Sequence, residues 1–451
     1  MSIKAKLNTF DATMIVVSLV IGIGIFRTPA IVASSTGTAT LFFVAWILGG
    51  LISFLGALTF AEVGSRFTRP GAYYGVVAEC YHPSLAFMLN WTNVVVVNAA
   101  GGAAVAMIGA EYITPVIFPS HAQSPITVQL VATGMILFLL IINYLGIRTG
   151  AWAQNILTII KIGMILMLAF VAFRYGSSSP AAVLSTGVTQ PFWIALGIGL
   201  ISVFYTYGGY QNTLTFGGDI KNAQRNMPRA IFFGIIIIIF LYLLINFAYY
   251  IVLGMDGMAG AKLVAAEVAR ICFGQSAYLI VSIAIFLSAM GFVNVTLMQI
   301  PRTYYAMAEN GSLPRIFMKV NERTQTQEFA LLFFGAMVLI SIFLLGTFEK
   351  IVNYVMFFDC LNNALVASTI FVLRKRAVNN LTYQGYKVPL YPVLPAIFVL
   401  FLVMIAVNVI LTQPDSTYYG LGLLACGYPI YLIMRRVSRK GTDHIPPSSI
   451  L

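Results

Sequence analysis

The sequence predicts an all-α integral membrane protein of about twelve transmembrane helices, in two blocks of five with inverted topology plus two peripheral helices. Three observations carry that prediction. Hydrophobic residues make up 59% of the 451 and charged residues only 9%, far from the balance of a soluble globular domain. Apolar runs of roughly 20 residues, each long enough to cross a ~30 Å hydrocarbon core, recur between short polar breaks. Two of the runs carry glycine breaks well inside them, Gly22-Ile23-Gly24-Ile25-Phe26 and Tyr205-Thr206-Tyr207-Gly208-Gly209.

The runs fall near 12–33, 39–66, 84–114, 125–147, 152–174, 191–216, 229–254, 275–308, 330–347, 351–373, 392–412 and 417–434. The first follows a short polar segment, Ser2 to Asn8, with no small-residue cleavage site, and reads as a retained span. With the N-terminus cytoplasmic, twenty of the 26 Lys and Arg lie on that side, five lie outside, and Lys161 lies within a span. This is a strong positive-inside bias, and it puts both termini in the cytoplasm of a multi-pass protein of the plasma or inner membrane. The net charge of +12 faces anionic lipid headgroups, so no nucleic-acid partner is implied. Cys80 and Cys272 fall in loops and Cys360 and Cys426 in spans, which suggests no disulfide framework. Short connections throughout indicate one transmembrane domain over 1–438, with a cytoplasmic tail at 439–451 that includes Pro446-Pro447-Ser448-Ser449.

The broken runs are the first and the sixth. Five is odd, so a repeated block of five re-enters from the opposite side. Repeats at about 8–175 and 190–376 would place the two breaks in corresponding positions, with helices at about 392–436 outside them. A helix broken at mid-depth survives only where it is buried in protein or lines a cavity. The freed N–H groups around Gly22 to Phe26 suit a carboxylate, the carbonyls near Val20 and Ile21 suit an ammonium, and the same division applies from Tyr205 to Gly209. That field matches a zwitterionic α-amino acid. Glycines in membrane helices also serve close packing; the matched placement five spans apart favours the paired break.

Lys161 sits ~15–20 Å from the cytoplasmic end of its span, about mid-membrane, where a charge costs at least ~3 kcal/mol. It would brace the first break through its carbonyls in place of a bound cation, or titrate, or snorkel. Asp359 lies ~13 Å from the outer end of the tenth run. It would line the substrate route and read a polar or cationic side chain, or belong to a satisfied polar cluster with Asn362 and Asn363. Glu62 is near the cytoplasmic end of its span, within reach of basic loop residues. The three histidines are scattered in loops, and no metal-ligand or phosphate-loop motif occurs, so neither enzyme chemistry, cofactor nor metal is expected. An ion channel would show repeated polar residues along one pore helix, and none is seen.

The residues further resemble the amino acid–polyamine–organocation (APC) transporter family, and within it the L-type amino acid transporter group. Ile21 to Phe26 with Pro29 is similar to the family's Gly-Ser-Gly-Ile-Phe motif, and Phe204 to Tyr210 to its Phe-Ala-Tyr-Gly-Gly-Trp. Asp219 to Asn222 with Met227 to Ile231, Ala61 to Gly64, Pro301 to Ala308, and Tyr386 to Pro395 resemble further family segments in order.

The resemblance implies a leucine-transporter-type fold, sodium-independent alternating access, and exchange or proton-linked carriage of small to medium neutral L-amino acids. A cationic amino acid or polyamine carrier is the alternative. It also implies that Gly22, Ile23 and Gly24 meet the substrate carboxylate, and that Val20, Ile21, Tyr205 and Thr206 offer carbonyls to its ammonium. Gly208 and Asp359 would border the pocket, Tyr205 would be the outer gate, and Lys161 would replace a sodium ion. Ile23 stands where the family carries a small residue. The outer loop at 115–125 lacks a cysteine, so no disulfide-linked ancillary subunit is expected.

Overall fold

Asn8 opens the first helix, α1 (Thr9–Val20), with a reciprocal cap: its side chain accepts from the Asp11 N–H while the Asp11 carboxylate accepts from the Asn8 N–H. The computed structural model describes residues 4–22, 24–121, 124–176, 191–261, 263–274, 277–344, 348–377, 383–412 and 414–440. After α1 come α2 (Gly24–Thr36), α3 (Ala39–Arg66), α4 (Ala72–Cys80), α5 (Pro83–Thr92), α6 (Asn98–Ile117), α7 (Pro125–Tyr144) and α8 (Ile147–Gly176). The second half continues with α9 (Phe192–Tyr207), α10 (Ala223–Gly260), α11 (Val264–Phe273), α12 (Ala277–Glu309), α13 (Glu328–Leu344), α14 (Phe348–Ala377), α15 (Val393–Thr412) and α16 (Pro414–Lys440). Thr38 and Ser124 cap α3 and α7 through their hydroxyls.

Among the described residues, eight helices are long and apolar enough to cross a membrane. α1 and α2 form a ninth candidate as one span bent by 44°. The chain is therefore an all-helical, multi-pass membrane protein. The expected ninth, tenth and twelfth runs fall on α13, α14 and α16. The third run is two helices, α5 and α6, joined by a π-helical turn at Asn93–Val97, where the Asn98 amide donates to the Asn93 carbonyl at 2.7 Å.

The structure departs from the sequence reading in three places. Cys80 and Cys272 lie buried on short helices, α4 and α11, and not in loops. The last helix runs on to Lys440, past the expected start of the tail at 439; the remainder of that tail is outside the described residues. Of the two helices expected at the periphery, α16 packs on α5, α14 and α15, whereas α15 reaches inward. Its Phe398 stacks edge-on against Phe60, 5.9 Å between ring centres. Gly56 allows this approach, because a Cβ there would collide with the Phe398 ring.

Around the centre, α10 packs against α1, α2, α3 and α8, while α12 packs against α6, α7, α8 and α13. Two buried carboxylates, each paired with arginine, tie the basic end of this bundle. Glu62, fully buried on α3, takes Arg66 at 2.7 Å, Arg374 of α14 at 2.6 Å and the Val388 N–H at 2.6 Å. Asp219 takes Arg302 of α12 through two nitrogens, at 2.6 and 3.1 Å, with side chains only 1% and 4% exposed. The N-terminal segment joins the second cluster, since the Lys6 and Leu7 N–H groups both donate to the Asp219 carbonyl at 2.8 Å.

Removing one partner of such a pair strands a buried charge. Asp219→Ala is expected to cost ~3–5 kcal/mol, seen as a lower thermal midpoint of the detergent-solubilised protein. An unchanged midpoint would mean that Arg302 is satisfied without its carboxylate.

Candidate substrate site at the two helix breaks

α1 stops at Val20, and the carbonyls of its last turn need donors in an apolar interior. The Ile21 N–H donates to the Val17 carbonyl and the Gly22 N–H to the Val20 carbonyl, each at 2.8 Å, and two side chains from other helices add further donors. The Tyr242 hydroxyl of α10 donates to the Val20 carbonyl at 3.0 Å, and the Lys161 amine of α8 donates to the Ile21 carbonyl at 2.9 Å. Lys161 is 3% exposed and also reaches Ser18 Oγ at 3.3 Å. Gly291 of α12 makes room for it: a Cβ there would stand 2.8 Å from Nζ. The amine therefore lies buried beside the first break and does not snorkel to the membrane surface.

The second break comes to the same place. α9 ends at Tyr207, Gly208 is extended, and Gly209 has φ of 120°. At Gly209 any side chain would meet the Leu19 carbonyl, so the positive φ and the close approach both demand glycine. On the other side of the break, Gly24 sits against Thr206, whose hydroxyl donates to Thr28 Oγ1 at 2.9 Å. The expected residues Val20, Ile21, Gly22, Gly24, Tyr205, Thr206, Gly208 and Lys161 are thus gathered around one crossing of two interrupted helices. Ile23 lies outside the described residues.

A cavity of about 210 Å³ opens beside the second break. Of the expected residues, Tyr205, Gly208 and Asp359 line it; Val20, Ile21, Gly22, Gly24, Thr206 and Lys161 do not. It leans toward the basic end of the bundle, because Thr296 and Gln299 on its wall lie within two turns of Arg302. Tyr205 pairs with Cys360, 3.1 Å from hydroxyl to sulfur. Asp359 accepts from Asn363 at 3.0 Å, and Asn363 accepts from the Tyr73 hydroxyl at 2.5 Å. The carboxylate therefore both borders the cavity and belongs to a polar cluster with Asn363. Asn362, expected in that cluster, makes no such bond.

Sequence reasoning passed over Tyr242, Gly291, Asn98, Gln211, Asn212 and Gln299. The Gln211-Asn212 pair, one residue beyond the glycines, was the available signal. Tyr242 and Gly291 gave none, because tyrosine and glycine are ordinary in membrane helices.

The profile of the amino acid permease family matches residues 7–431. The chain belongs to this family. A serine/threonine exchanger of Bacillus subtilis is 25% identical, covering 96% of this chain and 98% of the relative. A b(0,+)-type amino acid transporter 1 of Mus musculus is also 25% identical, covering 98% and 92%. A large neutral amino acids transporter small subunit 2 of Oryctolagus cuniculus is 26% identical, covering 96% and 81%. The permease is accordingly an amino acid transporter of the L-type-related branch and not an enzyme.

Gly291→Ala is expected to push the amine off Ile21 and to lower amino acid flux in proteoliposomes at least about tenfold, the scale of a lost polar contact of ~1.4 kcal/mol. Normal flux in a folded Gly291→Ala protein would show that the bundle accommodates the methyl group without loss of the Lys161 contact.

Proposed function

We propose that this permease is a sodium-independent secondary transporter of small to medium neutral L-amino acids, working by alternating access as an exchanger or proton-linked carrier. The observation that carries the reading is the Lys161 amine on the Ile21 carbonyl, 2.9 Å away at the first break. A tethered amine there does the bracing that a bound sodium ion would otherwise do, so transport needs no sodium. In this reading the N–H groups of Gly22, Ile23 and Gly24 hold the substrate carboxylate. The carbonyls of Val20, Ile21, Tyr205 and Thr206 receive its ammonium, Ile21 through the lone pair that Lys161 leaves open and Val20 once the Gly22 N–H, which donates to it at 2.8 Å, turns to the carboxylate. Gly208 keeps the wall low and Tyr205 closes over the ligand.

Neutral substrates are favoured because the head group is read by backbone and no acidic cluster awaits a basic side chain. The names of the relatives, a serine/threonine exchanger and a large neutral amino acids transporter, point the same way. Asp359 on the cavity wall favours the second reading, a carrier of cationic amino acids or polyamines.

Inverted repeats at about 8–175 and 190–376 and a plasma or inner membrane location with cytoplasmic termini complete the proposal. One relative is named as a small subunit, but we infer no disulfide-linked partner for this chain. Loop 115–125 has no cysteine, and Cys80 is buried, with its thiol pushed up to about 11 by that burial.

Counterflow in sodium-free proteoliposomes tests the function: internal neutral amino acid should accelerate uptake, and absence of saturable flux would sink it. Lys161→Ala is expected to abolish or uncouple flux in a folded protein; full sodium-free activity would remove the amine from the mechanism. Tyr205→Ala should raise the apparent KM several-fold. An unchanged KM would take Tyr205 out of the gate. Asp359→Asn should leave neutral substrates preferred; a selective loss of basic-substrate transport would favour the second reading instead.

A further inference from the structure

A second, smaller cavity of about 100 Å³ adjoins the first, and both are lined by Asn98, Asn212, Gln299 and Asp359. It is a polar annex leading off the substrate cavity. Three of its amides and hydroxyls are already engaged: the Asn90 amide donates to the Ala86 carbonyl, the Asn98 amide to the Asn93 carbonyl, and the Tyr73 hydroxyl to Asn363. Asn362 differs. Its side chain is 1% exposed, lines the annex, and has neither a donor for Oδ1 nor an acceptor for Nδ2. A buried amide with both atoms unmatched is rare in native proteins and calls for an explanation.

The chemistry of the annex narrows what would satisfy it. A bare cation would answer the Asn362 oxygen and the Asp359 carboxylate but leave Nδ2 without an acceptor. A carboxylate would answer Nδ2 but bring like charge beside Asp359. An apolar side chain would answer neither atom. A carboxamide offers one carbonyl and one NH₂ group, the complement of Asn362, with a second N–H free for Asp359. Its few heavy atoms fit a space that holds several waters at roughly 30 Å³ each.

We propose that the annex is the side-chain subsite of this transporter and that Asn362, with Asp359, selects substrates ending in a carboxamide, glutamine above all. The proposal rests on the transport reading above and narrows it to a substrate class. A site built to hydrogen-bond a side chain discriminates against the analogue that leaves its polar groups unpaired.

The test uses the full chain in proteoliposomes loaded with alanine, whose side chain is too short for the annex. Uptake of labelled alanine is competed with glutamine, with methionine as a similarly sized apolar analogue, and with glutamate as the anionic isostere. Glutamine is expected to inhibit at concentrations at least tenfold lower than the other two, and Asn362→Leu to erase that preference. Asn362→Asp, which keeps the volume and loses the Nδ2 donor, should weaken it too. Glutamine should also raise the thermal midpoint of the detergent-solubilised wild-type protein more than methionine does. Equal competition by methionine or glutamate, or a preference that survives in Asn362→Leu, overturns the subsite, as would an annex that holds only water. Alanine counterflow without glutamine preference defeats the subsite alone; absence of alanine counterflow together with absence of any amino acid-induced thermal shift defeats the transport reading and the subsite with it.

Discussion

The end of α1 is held in hydrocarbon surroundings by two donors that it does not itself carry. A helix that stops at mid-depth exposes carbonyls that water cannot reach, and each unmet group costs several kcal/mol. Lys161 and Tyr242 meet two of them, at Ile21 and Val20. The amine comes from α8, the hydroxyl from α10, and the space for the amine comes from Gly291 on α12. Three helices therefore have to converge before the first break can exist. The second break depends on the first, because Gly209 lies against the Leu19 carbonyl.

The same accounting explains the basic end of the bundle. Glu62 and Asp219 are buried carboxylates that would be untenable alone, and each is met by arginine from another helix. The segment leading into α1 shares Asp219 through its backbone, and the Lys221 N–H returns a bond to the Leu7 carbonyl at 2.9 Å. The two interrupted helices are thus joined below their breaks by backbone hydrogen bonds, are tied to α12 through the Asp219–Arg302 pair, and face one another at the breaks through glycines. Between them sits the cavity, with the annex behind it. A carrier needs this combination, a firmly tied frame and a site whose own polar groups wait for a ligand.

Much of the site was legible in the chain. Lys161 stood out because a basic residue within an apolar run is costly, and it was placed at the first break on that ground and on the family resemblance. Gly208 and Gly209 stood out as interruptions. Asp359, Asn362 and Asn363 were visible as one polar group, yet only Asp359 and Asn363 bond to each other. Phe398 was assigned to a peripheral helix; it lines the cavity because Gly56, more than 300 residues earlier, leaves space for its ring. Such pairings belong to helix rotation and register, which hydropathy does not encode.

By itself the sequence determined the membrane class, the places where two helices must break, and the family. These follow from how each segment behaves toward one uniform solvent: an apolar run enters it, a glycine interrupts the run, and a charge within it demands a partner. The tertiary structure alone decided which partner each group found. It gave Val20 to Tyr242, put the open volume beside Tyr205 and not beside Gly22, and left Asn362 without a bond. The reason is physical. Hydrogen bonds are directional and short, so their matching is settled only when helices far apart in the chain have packed at a particular angle and depth.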